Sequence, residues 1–367
     1  MSKGMNLQKI LLAAGVLIFL LIVVSIFFFG RQKNADTPVV GFIMSGAADE
    51  QGWNGMHYNG IKEAGDNLGV TVLVKENISE FSGQCETAIR ELVKDGAGMI
   101  ILSSYGYSEE VQNVVKEYPE VVFYANSPDF YEKNMTSYFV RMYQARYLAG
   151  IIAGMQTQTD QIGYVAAMSN NEVNRGINAF TLGVKRVNPD AKVIVKWTDS
   201  WDDEGKEKEA VEGLVSNYGI DIVTYHQNQA YVIEAAESAG IYSIGYHQVL
   251  EECSEKYLTT VACDWTQTYQ ELLREYLQGN GNSQYNFWIG LEKEAVTLTE
   301  YSTEVTQEQI QEIETVKNEI LMGQDVFSGE IYDLEGRKRC GDNENIGDEK
   351  LLRQMNWFVE GVKFYGE

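Results

Sequence analysis

The chain is short of basic charge, histidine, cysteine and proline. Its 367 residues hold 29 Lys and Arg against 53 Asp and Glu, for a formal net charge of −24. A body that acidic repels phosphates, which excludes nucleic acid and anionic lipid as main partners. The 4 cysteines, Cys85, Cys253, Cys263 and Cys340, include no C-x-x-C pair, so zinc-ribbon and thioredoxin-like centres are excluded. Cys253 and Cys263 are near enough in sequence to pair, but scattered thiols are ordinarily small buried side chains. The 3 histidines, His57, His226 and His247, stand far apart, with no H-E-x-x-H and no pair at metal spacing. G-x-S-x-G, G-x-x-x-x-G-K-[ST] and a strand-following G-x-G-x-x-G are missing too. The chain therefore does not read as an enzyme, and no metal or cofactor is expected. With 4 Pro, 34 Gly and 44% apolar residues it is neither disordered nor low in complexity.

One hydrophobic run is long. Residues 10–29 carry no charge, and a helix of that length at 1.5 Å per residue spans about 30 Å, the bilayer's hydrocarbon core. Lys3 and Lys9 precede the run; Arg31 and Lys33 follow it. It ends Phe27-Phe28-Phe29-Gly30-Arg31, bulky where a cleavable signal needs small residues. The run reads as an uncleaved single-pass anchor after a short tail, 1–9, and before a linker, 30–38. Long hydrophilic domains translocate largely regardless of flanking charge, so the body is expected outside the cytoplasm.

From residue 39 the chain alternates short apolar runs with amphipathic stretches. Strands are expected at 39–44, 71–75, 98–102 and 121–124, with helices at 52–68, 83–94 and 109–117 between them. After a long helix at 144–156 the alternation restarts, from 161 to 278. Strands that read as continuous apolar runs between helices belong to parallel sheets covered on both faces. Two such series predict two doubly wound α/β lobes, the first 39–156 regaining about 257–285, the second 157–256 plus about 286–367.

In open α/β sheets ligands sit beyond the carboxyl ends of the strands. Those ends are rich in aromatic and polar side chains here. Asp49, Trp53, Asn54 and Tyr58 follow the first strand, Ser104 the third and Asn126 the fourth; Trp201, Gln227 and Tyr246 follow strands of the second lobe. Aromatic faces with a few hydrogen-bonding groups suit a flat, hydroxylated small molecule held in a cleft between the lobes.

The first-loop residues Asp49, Gly52, Trp53, Asn54, Tyr58 and Gly60 fit D-x-x-[SG]-[FW]-N-x-x-x-[YWF]-x-G. Residues 143–154 end in Y-L-A-G-x-x-A-G, residues 183–189 fit G-x-x-x-x-N-P, and a run at 197–206 and the tail 327–362 follow in order. In this the chain resembles the basic membrane protein family of substrate-binding proteins, which includes purine-nucleoside receptors of bacterial ABC transporters. The resemblance implies a type I periplasmic-binding-protein fold that closes on its ligand, with several hinge crossovers. It implies that Tyr58 and Trp201 sandwich a base and that Asp49 makes a polar contact, and it puts Asn126 near a position where the family often has an acid. Tyr246-His247-Gln248 stands where the family has an acid for the ribose hydroxyls, and Cys263 where it often has Lys. The function implied is a membrane-anchored, monomeric receptor delivering a nucleoside-like ligand to an ABC permease, the alternative being a sensing or regulatory surface protein of the same fold.

Overall fold

The computed structural model describes residues 37–50, 52–126, 132–247, 250, 253–281 and 286–366. The run 10–29 lies outside them, and among the described residues no helix is long and apolar enough to cross a membrane.

The chain opens β1 (Val39–Ile43), α1 (Trp53–Leu68), β2 (Thr71–Lys75), α2 (Gln84–Lys94) and β3 (Met99–Leu102). Two short helices, α3 (Tyr107–Glu110) and α4 (Gln112–Glu117), lead to β4 (Val122–Asn126) and β5 (Met135–Val140). At Arg141 it crosses into α5 (Met142–Gln156), followed by β6 (Gln161–Ala166), α6 (Asn171–Val187), β7 (Lys192–Trp197) and α7 (Glu204–Tyr218). Then come β8 (Ile222–His226), α8 (Tyr231–Ala239), β9 (Tyr242–Tyr246) and β10 (Tyr257–Cys263). A second crossing at Asp264 enters α9 (Trp265–Leu277) and β11 (Asn286–Ile289); a third leads to β12 (Val296–Leu298) and α10 (Gln307–Leu321). The tail adds β13 (Ile331–Tyr332), β14 (Lys338–Cys340), α11 (Asp348–Arg353) and β15 (Val362–Phe364).

Two large sheets result, in the orders β11-β5-β4-β3-β1-β2 and β12-β10-β9-β8-β6-β7-β15, beside a two-stranded β13-β14 ribbon in the tail. All pairings within the two large sheets are parallel except that of β12 with β10. Three expected boundaries move. β10, expected in the first lobe, pairs with β9 in the second sheet, and it is α9 and β11 that return to the first lobe, on α1 and beside β5. The helix α5, also assigned to the first lobe, packs against α6, β10 and β12.

The Y-L-A-G-x-x-A-G stretch has a packing cause. A Cβ on Gly150 would lie 2.0 Å from the Phe180 carbonyl oxygen, and one on Gly183 would lie 2.0 Å from that of Tyr147. Only glycine lets α5 and α6 cross this closely. Asn188, of the N-P pair, donates to the Gly154 carbonyl at 3.3 Å and to Asp160 Oδ1 at 2.8 Å, fastening the two helix ends. A polar stripe on α6 holds the tail: Asn174 donates to Met355 O at 2.8 Å and Asn178 to Trp357 O at 2.9 Å. The caps are side-chain made. Asn170, Asp203 and Asp264 accept from the first turns of α6, α7 and α9, and Thr306 with Gln309 forms a capping box on α10.

Candidate functional site

Strand order reverses between β1 and β3 in the first sheet and between β6 and β8 in the second. Crevices open at such reversals. In the first lobe, α1 starts beside that crevice and Trp53 spans it, its Nε1–H donating to Ser103 O at 3.0 Å. In the second, Ala167 N–H donates to His226 O at 3.2 Å across the matching point. The lobes touch here: Trp53 N–H donates to Asn228 Oδ1 at 2.9 Å, and Asn228 N–H donates to Trp201 O at 2.9 Å. A Cβ on Gly52 would lie 2.6 Å from Asn228 Oδ1, so the approach needs glycine.

Aromatic rings line the junction. Trp53 lies 4.1 Å from His57, 5.5 Å from Trp265 and 5.3 Å edge-on from His247 of the opposite lobe, between ring centres. His57 and Trp265 are 3.7 Å apart. On the second lobe Tyr246 lies 4.0 Å from His247 and 4.5 Å from His226, its hydroxyl 2.9 Å from His226 Nε2. The Arg146 guanidinium lies over the Tyr246 ring at 4.0 Å. All three histidines of the chain thus gather at this junction and are buried. Burial holds His57 and His247 well below the usual imidazole range, with His226, His57 and Arg146 adding to the effect on His247. Burial also lowers His226, to about 4, opposed by the Glu172 carboxylate, whose Oε1 lies 3.5 Å from Nε2. Neutral imidazoles each offer one donor and one acceptor.

Buried polar atoms without partners mark the same place: His57 Nε2, Ser103 Oγ and Trp265 Nε1 from the first lobe, Gln227 Oε1 and both His247 nitrogens from the second. Each costs roughly 1–3 kcal/mol if left unpaired. A group of them from both lobes offers a polar ligand donors and acceptors to pair with. Among the described residues no group of three or more His, Cys, Asp or Glu is placed to hold a metal.

The residues singled out in the sequence divide. Trp53, Gln227 and Tyr246 line this junction, and Asn126 is buried at the end of β4 beside Tyr138. Trp201 sits at its rim, half-exposed, 6.1 Å from His226. Asn54 instead donates to Glu50 Oε1 through N and Nδ2 at 3.0 and 3.1 Å, bracing its own loop. Ser104 donates to Glu80 Oε1 at 2.5 Å, and it is Ser103 that is left unpartnered. Asp49 is exposed on the loop after β1. Tyr58 is half-buried on the flank of α1, five residues from Trp53 and off its face. Cys263 is buried with Sγ 3.6 Å from Met142 Sδ, burial pushes its thiol up, and all four cysteines are free. Trp265 and Arg146, not singled out in the sequence, also lie at the junction. The i, i+4 spacing of Trp53 and His57 puts both on one face of α1.

The model of the PnrA-like ABC transporter substrate-binding proteins matches residues 37–328. The chain belongs to this family. A purine-binding protein of Brucella abortus is 31% identical over 341 residues, covering 92% of this chain and 96% of its own. An ABC transporter protein of Haloferax volcanii named for glucose binding is 29% identical, covering 91% and 82%. Among solved structures, an ABC transporter solute-binding protein of Aeropyrum pernix shares the fold at a TM-score of 0.66 and 16% identity, covering 87% of this chain and 98% of its own. A transcriptional activator of the comK gene from Bacillus halodurans does so at 0.69 and 22%, covering 78% and 98%. Substrate-binding proteins of this family bind small molecules and work with ABC permeases; the fold is that of periplasmic binding proteins.

Proposed function

We propose that this chain is a membrane-tethered, extracytoplasmic receptor. It takes up a nucleoside-like ligand with a purine-type ring and presents it to an ABC permease. One observation carries the reading: unpaired donors and acceptors from both lobes are buried among indole, imidazole and phenol rings at one junction. Rings bind the faces of a planar heterocycle and the orphaned atoms bind its edge. Because the groups come from two lobes, the ligand meets all of them only when the lobes close, and affinity is coupled to closure. The kinship to a purine-binding protein agrees with this chemistry.

A thermal-shift series on the purified chain with purines, nucleosides and glucose tests it. A purine-type ligand should raise Tm in proportion to ln(1 + [L]/Kd). A response to glucose with none to purines would refute the ligand class.

A second reading, sensing without transport, is favoured by the 24% identity to a transcriptional activator of Bacillus subtilis over 69% of this chain. Retention of the ligand-loaded chain by permease-containing vesicles supports transport; indifference of those vesicles supports sensing.

A further inference from the structure

Beneath the ends of β6, β8 and β9 gather buried polar side chains, together called the chamber, that the contacts between the lobes do not use. Arg146 projects into it from α5, fully buried. Its guanidinium donates to Tyr225 O at 2.8 Å and Thr224 Oγ1 at 3.3 Å and lies 5.4 Å from the Tyr164 ring, yet its Nε–H is buried without a partner. Among the described residues no carboxylate lies within ion-pairing distance of it; the acid nearest the chamber, Glu172, has Oε1 3.5 Å from His226 Nε2. Tyr164 OH and His226 Nδ1 are also buried and unpartnered. Both face one spot: a Cβ on Gly176 would lie 3.4 Å from His226 Nδ1 and 3.5 Å from Tyr164 OH. Gly176 is in the interior of α6, where glycine costs about 1 kcal/mol against alanine. His226 joins the chamber to the cleft, with its ring 4.5 Å from Tyr246 and 6.1 Å from the rim residue Trp201.

The bonding capacity of this chamber leans to donors. Arg146 Nε–H donates in every accessible protonation state, and the Tyr164 hydroxyl turns to donate or accept. His226 Nδ1–H donates in the tautomer whose Nε2 accepts from the Tyr246 hydroxyl. A buried guanidinium with no ion-pair partner favours an electron-rich atom beside it.

We propose that the Arg146–Tyr164–His226 chamber receives an exocyclic oxygen of the ligand, so that the site prefers 6-oxopurines to 6-aminopurines. This rests on the purine reading above and adds the substituent. An oxo oxygen accepts from two of these groups at once, whereas an exocyclic amino group turns N–H bonds toward a guanidinium. Discrimination by a buried polar group is steep because the wrong analogue leaves that group unpaired.

The test is calorimetric titration of the purified full chain with hypoxanthine and with adenine, for the unaltered protein and for Tyr164→Phe and Gly176→Ala. Neither substitution removes a hydrogen bond the fold uses, and the Gly176 Cβ meets ordinary contact distances, so Tyr164→Phe should melt like the parent and Gly176→Ala at or above it. Hypoxanthine should bind at least tenfold tighter than adenine, and each variant should cut that ratio to below threefold by weakening hypoxanthine. Adenine binding as tightly as hypoxanthine, or undiminished hypoxanthine affinity in both variants, would overturn the chamber's role and leave the purine reading standing. If only the nucleosides inosine and adenosine bind, the same ratio is read between them; if neither base and neither nucleoside binds, the purine reading falls and the chamber assignment with it.

Discussion

Trp53 N–H donates to Asn228 Oδ1 at 2.9 Å, tying the first turn of α1 to the loop after β8 in the opposite lobe. The donor is one of the N–H groups that a helix start leaves free. The contact between the lobes thus uses a bond that either lobe alone would give to water. Asn228→Ala should speed ligand release and weaken affinity about three- to tenfold, the worth of one hydrogen bond. Asn228→Asp keeps the acceptor and should restore most of it. Stopped-flow dissociation on both variants decides; equal effects from Ala and Asp would show that the bond is not a latch.

Acid should weaken the fold and the closed state together. The folded values of the three buried imidazoles lie below the ordinary 6.5, His226 near 4. The unfolded chain therefore binds more protons in that interval, and stability rises with pH there. It is fully present above about 6.5 and is lost as pH falls toward 4. Melting curves between pH 4 and 7 should show a steady loss of Tm on acidification, reduced in His226→Gln. A Tm that is flat across that range contradicts the burial of neutral imidazoles.

Glu207 should do the reverse. It is buried on α7 with Oε1 accepting from Asp203 N–H at 3.4 Å and Oε2 unpartnered, and burial raises its carboxyl to about 8. A raised folded value contributes stability at low pH that is lost as pH rises through 8. Glu207→Gln keeps the shape without the charge and should be the more stable form at pH 8, by roughly 2 kcal/mol or more. Urea titrations at pH 5 and pH 8 check it; a variant that loses stability equally at both would show that the carboxyl is paired after all.

The aromatic positions make separable predictions. Trp53→Ala and Trp201→Ala should each weaken the ligand about tenfold to a hundredfold, the range for losing a stacked ring. Trp201 is 39% exposed, so its removal should spare the ligand-free fold the ~3–5 kcal/mol that a buried aromatic costs. Tyr58→Leu should change affinity less than threefold. Calorimetry alongside apo melting curves reads both effects, and a strong loss at Tyr58 with none at Trp53 would move the site along α1.

The proposed anchor has its own check. Amino-terminal sequencing of protein recovered from membranes should read from the start of the chain. A mature form beginning after Gly30 would identify 10–29 as a signal peptide.

Much of the architecture was legible because buried parallel strands such as Met99–Leu102 and Ile222–His226 announce themselves as short apolar runs. Which sheet a run joins is not written locally. Tyr257–Cys263 reads as a buried strand in either lobe, and only its pairing with β9 decides. The junction was half legible for a related reason. Trp53, Gln227 and Tyr246 follow from the rule that strand ends face ligands. His57, His226 and His247 looked isolated because the fold, not the sequence, brings them together. Arg146 was hidden within the Y-L-A-G helix, whose apolar neighbours gave no sign that a cation turns inward there.

The chain crosses between sheets at Arg141, at Asp264 and after Ile289, and the consequence reaches beyond the hinge. Neither lobe is a continuous stretch of sequence. The first needs β11 from beyond residue 285, and the second needs α5 from before residue 157. Cutting the gene at any one point yields two fragments, at least one of them lacking part of its own core. The halves of the binding surface therefore cannot be exchanged between relatives by simple recombination. New specificity in such a chain has to arise by substitution in place, one strand end at a time.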